Sequence, residues 1–447
     1  MVLGRTHPGM LGNMSIWTSY GFRESPYATD PIPASADGER LLVGRDGPLD
    51  RLTTYISSSA LHPTIEGDNG VGKTSLVAVA GYRLRSQFER GETSQLLLPL
   101  NRPFSLSPAD TAESFSERVY YAVADAFIQS HALLKQAGLA VPDTGDIDKW
   151  LNDPVFRSKG GGAQAFGFGG DASYGEEPNT SAGFTSAGFE AAIIRWLTEC
   201  FPTRQQGGFI CVIDNLELLE TSKSARSLLE AIRDGVLNLP GLRWVLCGAR
   251  GIVRTGASSQ RLEGRLAEPM NLSPVADAHV ADVVTRRIEV FGTHYALAPV
   301  GPDGFRHVYD VLNRNLRNAL KFCEDFAFWL NENPTTDKTT EGYLALFEVW
   351  LTEQADRYSA ETRLGDRAWG LFEGIAALGG SLSPSDYEQF DFNSYNAMRP
   401  HVKALEDANL VQSSVDDTDR RRKTIVMTPR GWLVHYARTG YQLPTMP

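Results

Sequence analysis

Apolar positions are irregular at the start of the chain and further on fall into short continuous runs alternating with stretches of helical spacing. Residues 1–40 are rich in Gly, Ser, Pro and Thr and hold no sustained period, which predicts an irregular arm. Leu49 and Leu52 then stand at helical spacing, and the apolar-ended segment Leu61 to Ile65 predicts a strand. Leu76, Val77, Val79 and Ala80 predict a helix, and Leu96 to Leu100 a second strand. Phe115, Val119, Val123 and Phe127, four apart, predict a helix over 112–138. Between Lys159 and Gly188 the pattern gives way to glycine runs and scattered aromatics, which predicts a flexible loop or glycine-rich hairpin. Helix is expected again over Phe189–Phe201 and 222–236. Phe209–Ile213 and Trp244–Gly248 are runs short enough for buried parallel strands, and Met270–Leu272 is shorter still.

Strands alternating with helices require a parallel sheet covered on both faces. Beyond Pro274 the strands stop, and three helices are expected over 276–292, 303–331 and 341–359. From Trp369 a compact unit follows, ending in a β-hairpin of Val411–Val415 against Thr424–Met427. The expected organisation is an arm over 1–40, an α/β core over 41–274 interrupted at 159–188, a helical region over 275–360 and a small module over 361–447. No internal repeat is evident.

Composition adds little to this until charge is considered. The net charge of −11 and pI of about 5.3 argue against a surface that wraps nucleic acid by bulk attraction. Cys200, Cys211, Cys247 and Cys323 lack metal-ligand spacing and have apolar neighbours, so reduced, buried thiols are expected. No run is long enough to span a membrane and no secretory signal is visible, so the expected setting is cytoplasmic.

The candidate chemistry lies where the first strand turns into a helix. Gly67-Asp68-Asn69-Gly70-Val71-Gly72-Lys73-Thr74 matches the phosphate-binding pattern G-x-x-x-x-G-K-T, followed by Ser75. Glycines there let main-chain N–H groups approach phosphate oxygens, and the helix N-terminus adds favourable partial charge. The expected ligand is ATP or ADP, with Lys73 on the β- and γ-phosphates of the triphosphate and the Thr74 hydroxyl on Mg²⁺. Phe209 to Ile213 closes on Asp214, where a parallel sheet presents ligands, so Asp214 is the expected second metal-side group. Asn215 follows it and the nearest carboxylate is Glu217, the candidate base for attack by water. Arg250, just past the Trp244–Gly248 strand, is the candidate γ-phosphate sensor. Arg254, Arg261 and Arg265 are candidate fingers for a neighbouring subunit.

Several stretches resemble known ATPases. Val43-Gly44-Arg45, ahead of the glycine loop, resembles the V-G-R entry of the origin-recognition initiators and of the STAND ATPases (signal-transduction ATPases with numerous domains). The run from Tyr20 to Tyr27 resembles the aromatic-Pro lead-in of initiator-like and transposition-type AAA+ ATPases. Asn271-Leu272-Ser273-Pro274 resembles their entry into the helical lid, and Asn315 to Leu320 their second sensor. The resemblance implies an adenine contact near Val43, Gly44, Arg45 and Pro274. It also implies a phosphate contact from Arg317, with Arg314 as the substitute. Residues 363–440 resemble a winged helix, with a helix pair at Ser383–Phe390 and Tyr395–Asp407 and a basic wing tip at Asp419 to Lys423.

Taken together, these resemblances imply an ATPase, slow if Asn215 weakens hydrolysis, that works as a conformational or assembly switch in a DNA-associated or defence process. The alternative is an ATP-dependent DNA-binding initiator or regulator. Double-stranded DNA would be met through 395–423, and a second copy or a protein partner through 159–188. No membrane partner is expected.

Overall fold

The computed structural model describes residues 15–107, 109–145, 186–216, 222–249, 253–254, 259–416 and 422–443. Helices α1 (Ile16–Ser19), α2 (Ala36–Leu41) and α3 (Asp46–Ser58) precede strand β1 (Thr64–Glu66). Helix α4 (Lys73–Glu89) leads to β2 (Leu96–Pro99), the short β3 (Phe104–Ser105) and α5 (Ala112–Gln136). Then come α6 (Ser186–Cys200), β4 (Gly207–Asp214), α7 (Ser222–Ile232), β5 (Leu242–Gly248) and β6 (Met270–Asn271). These strands form a parallel sheet in the order β2-β4-β5-β1-β6, with β3 also beside β4. Non-sequential order with parallel pairing requires helical crossovers, which cover both faces.

The side-chain alternation of β4 and β5 divides that burial. Phe209, Cys211, Ile213, Trp244 and Leu246 point into a core with α5 and α6, where Phe115, Phe127 and Trp196 pack. Ile210, Val245 and Cys247 point the other way, against Leu49 and Leu52 of α3 and Leu76, Val79 and Ala80 of α4. All four cysteines are buried and outside any disulfide, as their neighbours require.

The lid consists of α8 (Asp277–Phe291), α9 (Pro302–Val311), α10 (Leu316–Glu332) and α11 (Thr340–Glu361). The single helix expected over 303–331 is therefore two. Asn313 and Arg314 both adopt positive φ, 50° and 60°, which ends α9, and Asn315 caps α10 by accepting the N–H of Asn318. Asn tolerates the left-handed region well, and a period count across the break cannot see it. The arm is irregular over 20–35, as expected, but it is packed down. Trp17, Phe22 and Tyr27 are buried in the lid core, and the N–H of Arg23 donates to Phe291.

The C-terminal module contains α12 (Asp366–Ala377), β7 (Ser381–Leu382), α13 (Tyr395–Asp407), β8 (Val411–Asp416), β9 (Arg422–Met427) and α14 (Pro429–Arg438). Its antiparallel sheet runs β7-β9-β8, with Val411 opposite Met427 and Ser413 opposite Ile425. Of the expected helix pair, the first, Pro384–Phe390, is a 3-10 turn, while Pro400 sits inside α13. The fold is a parallel-sheet P-loop core of the AAA+ type, an all-α lid and a winged helix. Among the described residues no helix is long and apolar enough to cross a membrane.

Candidate functional site

The sequence between β1 and α4 forms a tight cradle. Gly72 caps α4 at φ 100°, a conformation that L side chains rarely adopt, so the loop's amides can face outward at the helix N-terminus. Lys73, 6% exposed, donates from Nζ to the carbonyls of Gly67 at 2.9 Å and Asp68 at 3.3 Å. Its ammonium thus rests on the loop it would leave to meet a phosphate. Thr74 Oγ1 donates to Asp214 Oδ2 at 2.5 Å, which brings together the two groups expected at the metal. Asp214 is 4% exposed at the C-terminal end of β4, and its Oδ1 accepts the N–H of Asn215 at 2.9 Å. One hydroxyl and one carboxylate suit Mg²⁺, which takes few protein ligands and completes its shell with water and phosphate oxygens. Among the described residues no cluster of three or more His, Cys, Asp or Glu side chains could hold a metal by itself.

Arg45 is 6% exposed and ties the loop to the lid entry. Its guanidinium donates to Val71 O at 3.0 Å and Ser273 O at 2.7 Å, and burial lowers its pKa. Gly44 turns the chain at φ 67° against His279 of α8, and Val43 reaches the cavity wall. Pro274 lies at the lid entry, but its neighbour Val275 is the residue on the wall.

The lid comes down on the cradle through the start of α10. Asn315 Nδ2 donates to Asn69 O at 3.1 Å. A Cβ on Gly70 would stand 2.9 Å from Arg317 Cβ and 3.0 Å from Asn315 Oδ1, so only glycine fits where the lid crosses the loop. Arg317 is exposed and lines the cavity along with Lys73 and Thr74. Arg314 is engaged elsewhere, with Asp277 at 2.9 Å.

The cavity holds about 340 Å³, within the range of small-molecule sites. Its polar lining includes the loop from Asn69 to Ser75 with Asp214 and Asn215, and its apolar lining includes Leu41, Leu42, Val43, Val283 and Leu320. Sequence reasoning missed Thr29 to Ile32 and Arg287 on this wall. The signal was there for Arg287: it interrupts the apolar stripe Val280, Val283, Val284 on α8.

Not all candidates come together. Glu217 and Arg250 lie outside the described residues, as do 159–185 and, of the wing tip Asp419 to Lys423, residues 419–421, while Arg422 and Lys423 begin β9; Ser186 to Gly188 begin α6. Arg254 is turned in cis: its N–H donates to Glu66 Oε1 at 2.5 Å and its Nε lies 3.5 Å from Oε2. Arg261 is more open, 72% exposed and 3.8 Å from Glu230. Arg265 lends its carbonyl to His62 at the far end of β1.

No family model matches the chain, and no curated protein matches its sequence. Solved structures do resemble it. The ORC2 protein of Aeropyrum pernix in its ADP form is 12% identical, with a TM-score of 0.47 over 94% of this chain and 99% of that one. The ORC1 protein of Aeropyrum pernix in complex with DNA is 16% identical, with a TM-score of 0.44 over 94% and 97%. A Walker-type ATPase of Pyrococcus abyssi is 15% identical, with a TM-score of 0.46 over 92% and 99%. The chain's own strand order, glycine loop and C-terminal module define it as having the fold of a P-loop NTPase with a helical lid and a winged helix.

Proposed function

We propose that the protein binds ATP or ADP with Mg²⁺ in this cavity and acts as a nucleotide-dependent switch, hydrolysing ATP slowly. The observation that carries the reading is the contact of the lid with the loop: Asn315 on Asn69 O, with Arg317 directly over Gly70. A triphosphate on Lys73 would give Arg317 an anion to neutralise from the opposite wall, so the closed arrangement gains contacts that the open one lacks. Thr74 and Asp214 would hold Mg²⁺, which supplies charge neutralisation on the phosphates. Asn215 after the buried carboxylate supports slow turnover, since the base would have to come from Glu217. Arg250 is proposed as the sensor on that side.

The test is calorimetry with ATP and ADP in magnesium, alongside mass measurement with each nucleotide and with none. Wild type should release binding heat and change its compactness or assembly with nucleotide, and Lys73→Ala should lose the heat. Full binding by Lys73→Ala would refute the site assignment.

A second reading, contact with double-stranded DNA through 395–423, is favoured by one face of α13. Arg399 and Lys403 stand exposed there, one turn apart, with no ion pair among the described residues. Phosphate contacts of this kind weaken steeply as salt rises. Duplex affinity should therefore fall between low and physiological salt and fall further in an Arg399→Ala, Lys403→Ala double variant. Absence of binding at low salt would remove this reading.

A further inference from the structure

Arg287 is 7% exposed, and among the described residues it forms no ion pair with a carboxylate. Burial alone pushes its pKa down to about 10. A buried guanidinium without a counter-ion is costly and persists where its hydrogen bonds hold something in place. Here they hold backbone: Nη1 donates to Ala28 O at 2.8 Å and to Pro26 O at 3.3 Å.

The clamped segment runs on as a strap along the cavity. Just before it, the Tyr27 hydroxyl donates to Val300 O and accepts the N–H of Val300, both at 2.7 Å, which anchors the strap on the lid. Thr29, Asp30, Pro31 and Ile32 then line the cavity. At the far end the N–H of Ile32 donates to Ser75 Oγ at 3.0 Å, on the first turn of the helix that would receive the phosphates. The strap is therefore pinned at both ends, to the lid by Tyr27 and Arg287 and to the P-loop helix by Ser75. With its phosphates on Lys73, a nucleotide has the rest of the lining for its nucleoside half, and that lining includes this strap and Leu42, Val43 and Val283.

We propose that Arg287 is a positioning residue for nucleoside recognition: by fixing the carbonyls of Pro26 and Ala28 it holds the wall that receives the base and sugar, and it contributes nothing to binding of the phosphate tail. This rests on the nucleotide reading given above. It separates the ligand into two halves that different residues govern.

Inorganic tripolyphosphate presents the tail alone, so the experiment compares ATP with tripolyphosphate, each with Mg²⁺, on the full chain. Arg287→Met should weaken ATP about tenfold or more and leave tripolyphosphate within about twofold. Arg287→Lys should recover part of the loss, because an ammonium can still donate to the two carbonyls. Tyr27→Phe, which frees the other lid anchor, should show the same split and carries the test if Arg287→Met does not fold. Equal weakening of both ligands, or unchanged ATP affinity in both variants, overturns the inference. Wild type that binds ATP no tighter than tripolyphosphate overturns it while leaving the P-loop site intact. Wild type that binds neither ligand removes the site itself.

Discussion

His62 sits where β1 begins, 4% exposed, with Nε2 placed 2.8 Å from Leu237 O and Nδ1 accepting the N–H of Trp244 at 3.3 Å. One ring nitrogen donates and the other accepts, so the neutral imidazole satisfies both contacts. Burial is the main cause that lowers its pKa to about 4; the Leu237 carbonyl opposes this, and the guanidiniums of Arg204, Arg243 and Arg265 add to it. Above the unfolded value of about 6.5, both folded and unfolded chains keep the ring neutral and the full stability is present. As pH falls below that, the unfolded chain takes up a proton that the folded chain refuses until about pH 4. Stability is lost across this window, by up to about 3 kcal/mol from this one group. Melting temperatures at pH 7 and pH 4.5 should therefore fall less in His62→Gln than in wild type. An equal fall in both would mean that other groups govern acid sensitivity.

At the level of elements, what could be read from sequence depended on whether a local pattern decided the outcome. The strands of the core were legible because runs such as Phe209–Ile213 can be buried only on both faces, and the structure extends that run to Gly207–Asp214. The cradle was legible because its glycines and Lys73 form a contiguous motif. The break between α9 and α10 was not, since Asn313 and Arg314 leave the helix through backbone conformation while the apolar period runs on past them. That break matters, because it puts Asn315 and Arg317 at a helix start instead of mid-helix and so aims them at Gly70. The burial of the arm was illegible for a different reason. Trp17, Phe22 and Tyr27 are too sparse to show a period, and their burial comes from partners far along the chain, such as Val300 for Tyr27. Of the cavity lining, Val43 was named through resemblance, but the strap Thr29 to Ile32 was illegible on the same ground: the strap, α2 and α8 meet only in three dimensions.

Across the whole molecule, lid and winged helix share one core. Phe347, Leu351 and Ala355 of α11 belong to the same buried cluster as Leu433, Val434 and Tyr436 of α14. Polar contacts reinforce the seam: His307 with the Tyr436 hydroxyl at 2.9 Å, Arg430 with Glu361 at 3.0 Å, and Tyr441 donating to Asp356 at 2.9 Å. Asn313, in the turn that aims Arg317, donates to Gly379 O in the winged helix at 3.1 Å. A lid that shifts over the cradle must therefore carry the winged helix with it, and the α13 face is displaced by whatever moves Arg317. A chain ending after residue 362 would expose the α11 face to water. Losing burial of Phe347 and Leu351 at roughly 2 kcal/mol each, and less from Ala355, should lower the melting temperature by about 5 °C or more. It should also weaken ATP binding, since the turn before Arg317 loses its support from Gly379. A truncated protein that melts where the full chain does and binds ATP equally well would establish instead that the winged helix is an independent passenger on the lid.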